Sequence, residues 1–228
     1  MDKDLRHSEL YERRFEDGES KSSFLFYVVF LVLIFAVLLF RAYWTENFGG
    51  VIVDGSSMRN TLYDGDKLLI RYVEDGKGLE RGDVIVVNVG GYEECSGVNG
   101  GFLIKRLIAT EGDKVKCIDG QIYLWKAGSD GYEAIEEDYD VWYDNKMIGK
   151  DENGKIVTGA AAYDFGEYVV GEGEIFFLGD NRHHSCDSRY NQPAGSHLKG
   201  KLYKATDVFG VVPEWAIKHS ETLEKIFF

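Results

Sequence analysis

The chain has 228 residues, of which 44% are hydrophobic and 14% aromatic, and its formal net charge is -13. A chain of this length and composition can bury one large core and a smaller lobe, so it does not belong to the intrinsically disordered class. The acidic balance, without any run of lysines or arginines, argues against nucleic acid as a partner, because phosphate binding needs a basic face.

The amino-terminal region predicts a membrane anchor. Residues 1–21 are almost wholly polar and are interpreted as a cytoplasmic tail. Every residue from Phe24 to Phe40 is apolar or aromatic, and the segment 22–44 reaches the roughly 20 residues that span a bilayer. A cleaved signal peptide fits less well, because the apolar core exceeds the roughly 7 to 15 residues of such a peptide and no A-x-A site follows it.

Basic residues near the ends of this segment predict its orientation. Arg13, Arg14 and Lys21 precede the span, whereas Arg41 alone follows it closely. Because lysine and arginine are enriched on the cytoplasmic side, the amino terminus is expected in the cytoplasm and the body outside it. We therefore predict a single-pass protein of the cell membrane with an extracytoplasmic body at 45–228.

The body carries strand patterns. After Gly49-Gly50, short β-branched or aromatic runs are bounded by glycine and aspartate, and Asp119-Gly120 and Asn153-Gly154 are typical of two-residue hairpin turns. The predicted strands are 67–73, 83–89, 102–109, 114–118, 121–125 and 175–178. We predict a mainly β fold, in which a single transmembrane helix precedes an antiparallel sheet domain. An acidic, tyrosine-rich stretch at about 126–168 predicts a smaller inserted lobe, and 215–228 could form a short amphipathic helix.

The cysteines and histidines give no sign of a metal site. Cys95, Cys117 and Cys186 lack C-x-x-C spacing, and only His183 and His184 lie close together. We expect no metal and no cofactor. A disulfide between Cys95 and Cys117 is compatible with an extracytoplasmic location, although one thiol would remain and the connectivity cannot be read from the sequence.

A serine follows the first strand-like run of the body. In V-I-V-D-G-S-S-M-R-N-T-L, residues 51–62, three β-branched residues lead into Asp54-Gly55, a pair that suits a sharp bend. Such a bend can present a nucleophilic hydroxyl and leave backbone N–H groups facing an oxyanion. An ordinary polar turn is the alternative interpretation.

A lysine interrupts an apolar strand at 102–109. Alternation places Lys105 on the strand face of Leu103 and Leu107. Burial lowers the pKa of a lysine and makes its amine available as a base near neutral pH. The alternative is an edge strand whose lysine extends into water.

The loop G-D-N-R-H-H-S-C-D-S-R, residues 179–189, is dense in charges and hydroxyls. Asp187 and Arg189 can pair while Ser185 supplies a hydrogen bond. A catalytic triad is the second hypothesis, formed by Ser57, one histidine of His183-His184, and either Asp180 or Asp187.

These segments, with G-D-K-L-L-I at 65–70, R-G-D-V-I-V-V at 81–87 and F-L-I-K-R-L-I-A-T-E-G-D-K-V at 102–115, resemble the successive boxes of the type I signal peptidases of bacterial type. The resemblance implies a serine endopeptidase with a Ser-Lys dyad that cleaves signal peptides from exported preproteins after small residues of Ala-x-Ala type. By correspondence Ser57 is the nucleophile and Lys105 the general base. Ser185 orients the lysine, and Asp187 with Arg189 braces the loop.

Two positions depart from the family pattern. The family usually has proline where Asn60 stands, which puts the geometry of the turn in doubt. Some members have a serine at the position of Gly55, whose hydroxyl assists the oxyanion hole. Here backbone N–H groups remain, chiefly that of Ser57.

The family also implies apolar pockets for the substrate residues before the cleaved bond. The corresponding positions in this sequence are Val51, Val53, Met58, Leu62, Leu103 and Ile104. Ordinary core packing is the alternative for each of them. The expected partners are signal peptides and the lipid bilayer, and the protein is expected to be a monomer. Two rival functions remain open: a specialised processing peptidase for one exported substrate, and a membrane-tethered β domain that binds peptides without cutting them.

Overall fold

The structure is a computed structural model that describes residues 3–90, 101–137, 142–143, 146–147, 164–182, 185–191 and 202–227. Contacts divide the chain into two compact units, Met1–Asn47 and Phe48–Phe228. The boundaries predicted for the tail, the span and the inserted lobe remain predictions.

The first unit is a single helix, α1 (Lys3–Asn47). All side chains from Phe24 to Phe40 are exposed, although all of them are apolar. Within the described part of the chain, the 25-residue segment Ser23–Asn47 is the one helical stretch long and apolar enough to cross a membrane. The predicted amino-terminal apolar helix is thus confirmed, and the helix extends beyond it in both directions.

The second unit is mainly β, and every strand pairing in it is antiparallel. The strands are β1 (Phe48–Ile52), β2 (Lys67–Tyr72), β3 (Val84–Asn88), β4 (Phe102–Thr110), β5 (Lys114–Ile118), β6 (Gln121–Trp125), β7 (Glu133–Ala134), β8 (Trp142–Tyr143), β9 (Lys146–Met147), β10 (Phe165–Val169), β11 (Glu174–Leu178), β12 (Tyr203–Lys204) and β13 (Val208–Val212). Two helices follow, α2 (Glu214–Lys218) and α3 (Ser220–Phe227), and short 3-10 turns cover Ser188–Asn191 and Ala205–Asp207. The predicted fold class is confirmed.

These strands form three sheets. A seven-stranded sheet has the order β1-β2-β13-β3-β4-β11-β12, a four-stranded sheet has the order β10-β5-β6-β7, and β8 and β9 form a small pair. The two turn residues between β5 and β6, Asp119 and Gly120, both have positive φ, 53° and 74°, as a two-residue hairpin turn requires. The other expected hairpin turn, Asn153-Gly154, lies outside the described residues.

The core has two layers because alternate side chains of β4 and β11 point to opposite faces of the large sheet. Leu107 and Phe177 pack in one layer, against the β3 residues Ile85 and Val87. The other layer lies between the two larger sheets, and its members are Ile108, Ala109, Val115, Cys117, Ile122, Leu124, Tyr168, Val170, Phe176, Leu178 and Leu202. Strand β4 is therefore packed on both faces.

The suggested disulfide between Cys95 and Cys117 is wrong. Cys117 is a free thiol on β5, 2% exposed within the inter-sheet core. Burial, with the negative charge of Asp164 nearby, raises the pKa of Cys117 to about 12. Cys186, in contrast, is disulfide-bonded.

Candidate active site

The turn after β1 places Ser57 at the end of the large sheet. Two backbone hydrogen bonds join the start of this segment to its end. The Val53 N–H donates to the Asp66 carbonyl and the Val53 carbonyl accepts from the Gly65 N–H, each at 2.9 Å. Gly55 has φ +93°, a conformation that glycine adopts without strain, and its N–H donates to Asp64 Oδ1 at 2.8 Å. The chain thus reverses direction just before Ser57.

Strand β4 supplies the lysine that meets this serine. Lys105 Nζ lies 2.8 Å from Ser57 Oγ and donates to the Ile104 carbonyl at 2.7 Å. The Lys105 side chain is 1% exposed, and its strand neighbours Leu103 and Leu107 are buried as well. The structure therefore brings together the serine and the lysine that the sequence singled out, although they are separated by 48 positions in the chain.

The surroundings make the amine of Lys105 easier to deprotonate. Burial lowers the pKa of Lys105 from 10.5 to about 8, and the negative charges of Asp187 and Asp180 oppose this effect only in part. Near that pH about half of the molecules carry a neutral amine, which has a lone pair for a proton. The site can thus supply a base in contact with a hydroxyl.

The loop after β11 holds the serine turn from the other side. Asn181 donates its backbone N–H to the Ser57 carbonyl and its side-chain amide to the Ser56 carbonyl, both at 3.0 Å. Gly179 lies against the same turn, since a Cβ added there would be 2.5 Å from the Ser57 carbonyl oxygen and 2.2 Å from Ser185 Oγ. The two loops therefore pack together at van der Waals distance.

Asp187 and Arg189 form a bidentate pair. Arg189 Nε and one terminal nitrogen lie 2.8 and 2.7 Å from the two carboxylate oxygens, and the Gly179 N–H also donates to Asp187 at 3.1 Å. The pair thus fixes the loop to the end of β11. Ser185 is 4% exposed, and within the described part of the chain its Oγ has no hydrogen-bond partner. The structure places it beside the dyad without a bond to Lys105.

A buried ion pair that the sequence reasoning did not predict ties β4 to the same loop. Arg106 donates through Nε and a terminal nitrogen to the two oxygens of Asp180, at 2.9 and 2.6 Å, and Thr61 donates its hydroxyl to the same carboxylate. The available signal in the sequence was Arg106 itself, a charged residue within the apolar run 102–109, which needs a partner if it is buried. Both aspartates of the triad hypothesis are thus bound by arginines, while His183 and His184 lie outside the described residues.

A cleft of about 590 Å³ opens beside Ser57 and Lys105. Five of the six positions expected in the substrate pockets line it: Val51, Val53, Met58, Leu103 and Ile104. Leu62 does not line the cleft. It is 1% exposed and belongs to the core, as the packing alternative predicts. Residues that the sequence reasoning missed also line the cleft: Ile52, Val86, Phe102, Cys186 and Phe209.

Among the described residues, no three His, Cys, Asp or Glu side chains are grouped so that they could hold a metal ion.

Comparison with known proteins gives matches to a family model, to curated proteins and to a solved structure. A family model described as signal peptidase, peptidase S26, matches residues 23–217. Signal peptidase I U of Bacillus subtilis (strain 168) is 33% identical over 165 residues, which cover 71% of this chain and 75% of that protein. Signal peptidase I of Bacillus licheniformis is 33% identical over 180 residues, covering 76% of this chain and 83% of that protein. The crystal structure of a signal peptidase I from Enterococcus faecalis V583 matches with 27% identity and a TM-score of 0.38, covering 60% of this chain and 98% of that one.

Proposed function

Because this chain belongs to the signal peptidase family, peptidase S26, we propose that it is a membrane-anchored serine endopeptidase with a Ser-Lys dyad. Its substrates are preproteins, from which it removes the amino-terminal signal peptide after small residues. The observation that carries the proposal is the 2.8 Å contact between Lys105 Nζ and Ser57 Oγ at the edge of an apolar cleft. A buried lysine with a lowered pKa next to a hydroxyl supplies the adjacent base that activates a serine nucleophile.

The proposed reaction begins with the neutral amine of Lys105. It takes the proton of Ser57 Oγ while Oγ attacks the scissile carbonyl carbon, and a tetrahedral oxyanion forms. The ammonium then gives this proton to the leaving nitrogen, the peptide bond breaks, and an acyl-enzyme remains on Ser57. In the second half Lys105 deprotonates water, which attacks the ester carbon, and the proton passes to Ser57 Oγ as the acid product leaves.

The oxyanion is assigned to the backbone N–H of Ser57. Among the backbone–backbone hydrogen bonds of the described residues, none has this N–H as its donor, whereas the N–H of Gly55 donates to Asp64. A fixed backbone donor near the attacking oxygen stabilises the negative charge that develops on the carbonyl oxygen. No side-chain hydroxyl at position 55 assists it, because that residue is glycine.

Specificity for small residues fits the walls of the cleft. Apolar side chains from the β1 end, from Met58 and from β4 surround the dyad. A peptide entering in an extended conformation presents alternate side chains to the same wall. Small apolar side chains at the first and third positions before the cleaved bond can pack against this wall without displacing its residues.

The body is proposed to lie outside the cytoplasm, with the amino terminus inside. This orientation rests on Arg13, Arg14 and Lys21 before the apolar segment, against Arg41 after it. It would place the dyad on the side of the membrane where exported preproteins emerge.

The direct experiment compares replacements of the two adjacent serines. Ser57→Ala should abolish cleavage of an Ala-x-Ala preprotein in detergent or lipid, because it removes the hydroxyl that Lys105 Nζ contacts. Ser56→Ala is the matched control and should keep most of the activity, with both variants folded by circular dichroism. The opposite result would assign the nucleophile to Ser56.

A second set of variants separates the dyad from the histidine triad. Lys105→Arg keeps the charge but holds its proton to a pKa above about 12, so it should be folded and inactive. His183→Ala and His184→Ala should each remain active. If Lys105→Arg cleaves at near the parental rate, or if either histidine replacement alone eliminates cleavage, the triad hypothesis replaces the dyad.

A further inference from the structure

A third buried ion pair joins the loop after β11 to the four-stranded sheet. Arg182 lies in the loop after β11 with a side chain 0% exposed, and Glu137, whose side chain is 14% exposed, lies three residues after β7. Two terminal nitrogens of Arg182 face the two carboxylate oxygens of Glu137. This forked geometry orients a guanidinium as well as neutralising it.

Arg182 organises the loop that touches the serine turn. Its Nε donates to the Gly179 carbonyl at 3.1 Å, and its own carbonyl accepts a hydrogen bond from Arg189 at 2.8 Å. The residue before it, Asn181, holds the carbonyls of Ser56 and Ser57. A shift of Arg182 is therefore transmitted through one peptide bond to the contacts that fix the nucleophile.

Glu137 is itself anchored to the smaller sheet. Two residues earlier, the Ile135 N–H donates to the Ile122 carbonyl at 3.0 Å, and Gln121 donates its side-chain amide to the Ile135 carbonyl at 2.9 Å. The carboxylate of Glu137 thus connects strand β6 to the loop after β11. Glu137 lies within the acidic stretch at about 126–168.

We infer that Glu137 is a positioning residue for the proposed peptidase reaction, acting through Arg182 on the turn that presents Ser57. Loss of the Glu137 charge would weaken the hold on the buried Arg182 guanidinium and let it shift, because a buried guanidinium depends on the carboxylate that its fork engages. Asn181 would move with it and release the Ser56 and Ser57 carbonyls. Glu137 touches neither Ser57 nor Lys105, so it is not a catalytic residue. The inference rests on the proposed function.

The test is Glu137→Gln in the full-length protein in detergent, assayed with an Ala-x-Ala preprotein. Glutamine keeps the shape of the side chain and removes its charge. We expect kcat to fall about 10- to 100-fold, the loss associated with misplacement of a reacting group, while KM changes by less than about twofold. Glu136→Gln is the matched control. It makes the same charge change at the exposed neighbouring residue and should leave kcat within about twofold.

A double-mutant cycle separates positioning from general loss of stability. Rates are measured well below the melting temperature and corrected for the folded fraction by circular dichroism. In an Arg182→Met background Glu137 has no guanidinium to hold, so Glu137→Gln should cause no further fall in kcat. If Glu137→Gln does not fold, Glu137→Asp takes its place, because it keeps the charge but shortens the reach, and a fall in kcat at unchanged KM is again expected.

The outcomes are distinguishable. A folded Glu137→Gln with parental kcat, or an equal loss in the Arg182→Met background, would overturn the inference and leave the proposed function intact. A parental protein that is folded but cleaves no preprotein would overturn both.

Discussion

At the scale of single residues, Lys105 is held where its charged form is unfavourable. Its pKa falls from 10.5 to about 8 because the side chain is buried. Such a fall corresponds to about 3 kcal/mol of free energy against the ammonium form.

The rate of cleavage should rise with pH through a limb centred near 8 and then level off, because only the neutral amine of Lys105 can take the Ser57 proton. The measurement is kcat/KM of the parental protein on an Ala-x-Ala peptide on both sides of that pH. A limb centred near 6.5 instead would indicate that a histidine is the base.

Replacing Lys105 with methionine should stabilise the fold at neutral pH while abolishing cleavage. The folded-state pKa lies below the unfolded value, so the parent loses stability as pH falls from 10.5 through about 8. Lys105→Met avoids this loss, and its free energy of unfolding should exceed the parental value by about 1–3 kcal/mol, after allowance for the lost hydrogen bonds.

Urea unfolding of parent and variant at several pH values measures this difference. The excess should be largest below pH 8 and should disappear as pH rises toward 10.5. A difference that does not depend on pH would show that the charge of Lys105 is not its cause.

At the scale of elements, the Arg106–Asp180 pair joins strand β4 to the loop after β11. Asp180→Ala would leave the Arg106 guanidinium, 8% exposed, without its carboxylate. We expect the free energy of unfolding to fall by about 3–5 kcal/mol, measured from the urea midpoint.

The control is an aspartate in an exposed ion pair. Asp75 faces Lys77 with both side chains more than 70% exposed, so Asp75→Ala should change stability by less than about 1 kcal/mol. Equal effects of Asp180→Ala and Asp75→Ala would contradict a structural role for the buried pair.

The strands that the sequence predicted well are short runs rich in β-branched or aromatic residues and bounded by glycine or aspartate. Strands β5 and β6 were predicted with their observed bounds, and β2, β3, β4 and β11 to within one residue at each end. Strand β13 was missed because Gly210 interrupts its valines. In the structure Gly210 lets β13 approach β2, where a Cβ would lie 2.9 Å from the Arg71 carbonyl oxygen.

The parts of the candidate site that depend on local sequence could be predicted. Ser57 at a bend and Lys105 in an apolar strand are both visible without a structure. The partner of Arg106 was not, because Asp180 is 74 positions away and alternation tells only which face a side chain occupies. The Glu137–Arg182 pair was hidden for the same reason. Leu62 was expected in a substrate pocket because the sequence does not distinguish an apolar residue that lines a pocket from one that is buried in the core.

At the scale of the whole molecule, the prediction concerns the side of the membrane on which the body lies. Protease added to intact spheroplasts should digest the region after Trp44 and spare the amino-terminal tail, because the basic residues before the span favour the cytoplasm. Immunoblots against the two ends would report the fragments. A body that resists protease until the cells are lysed would reverse the orientation.

The contact between Gly179 and the serine turn also restricts how this gene can change. Every single-nucleotide substitution that alters the amino acid of a glycine codon either adds a Cβ or ends the chain. At position 179 a Cβ would meet the Ser57 carbonyl oxygen at 2.5 Å, so no one-step coding change there leaves the two loops in place.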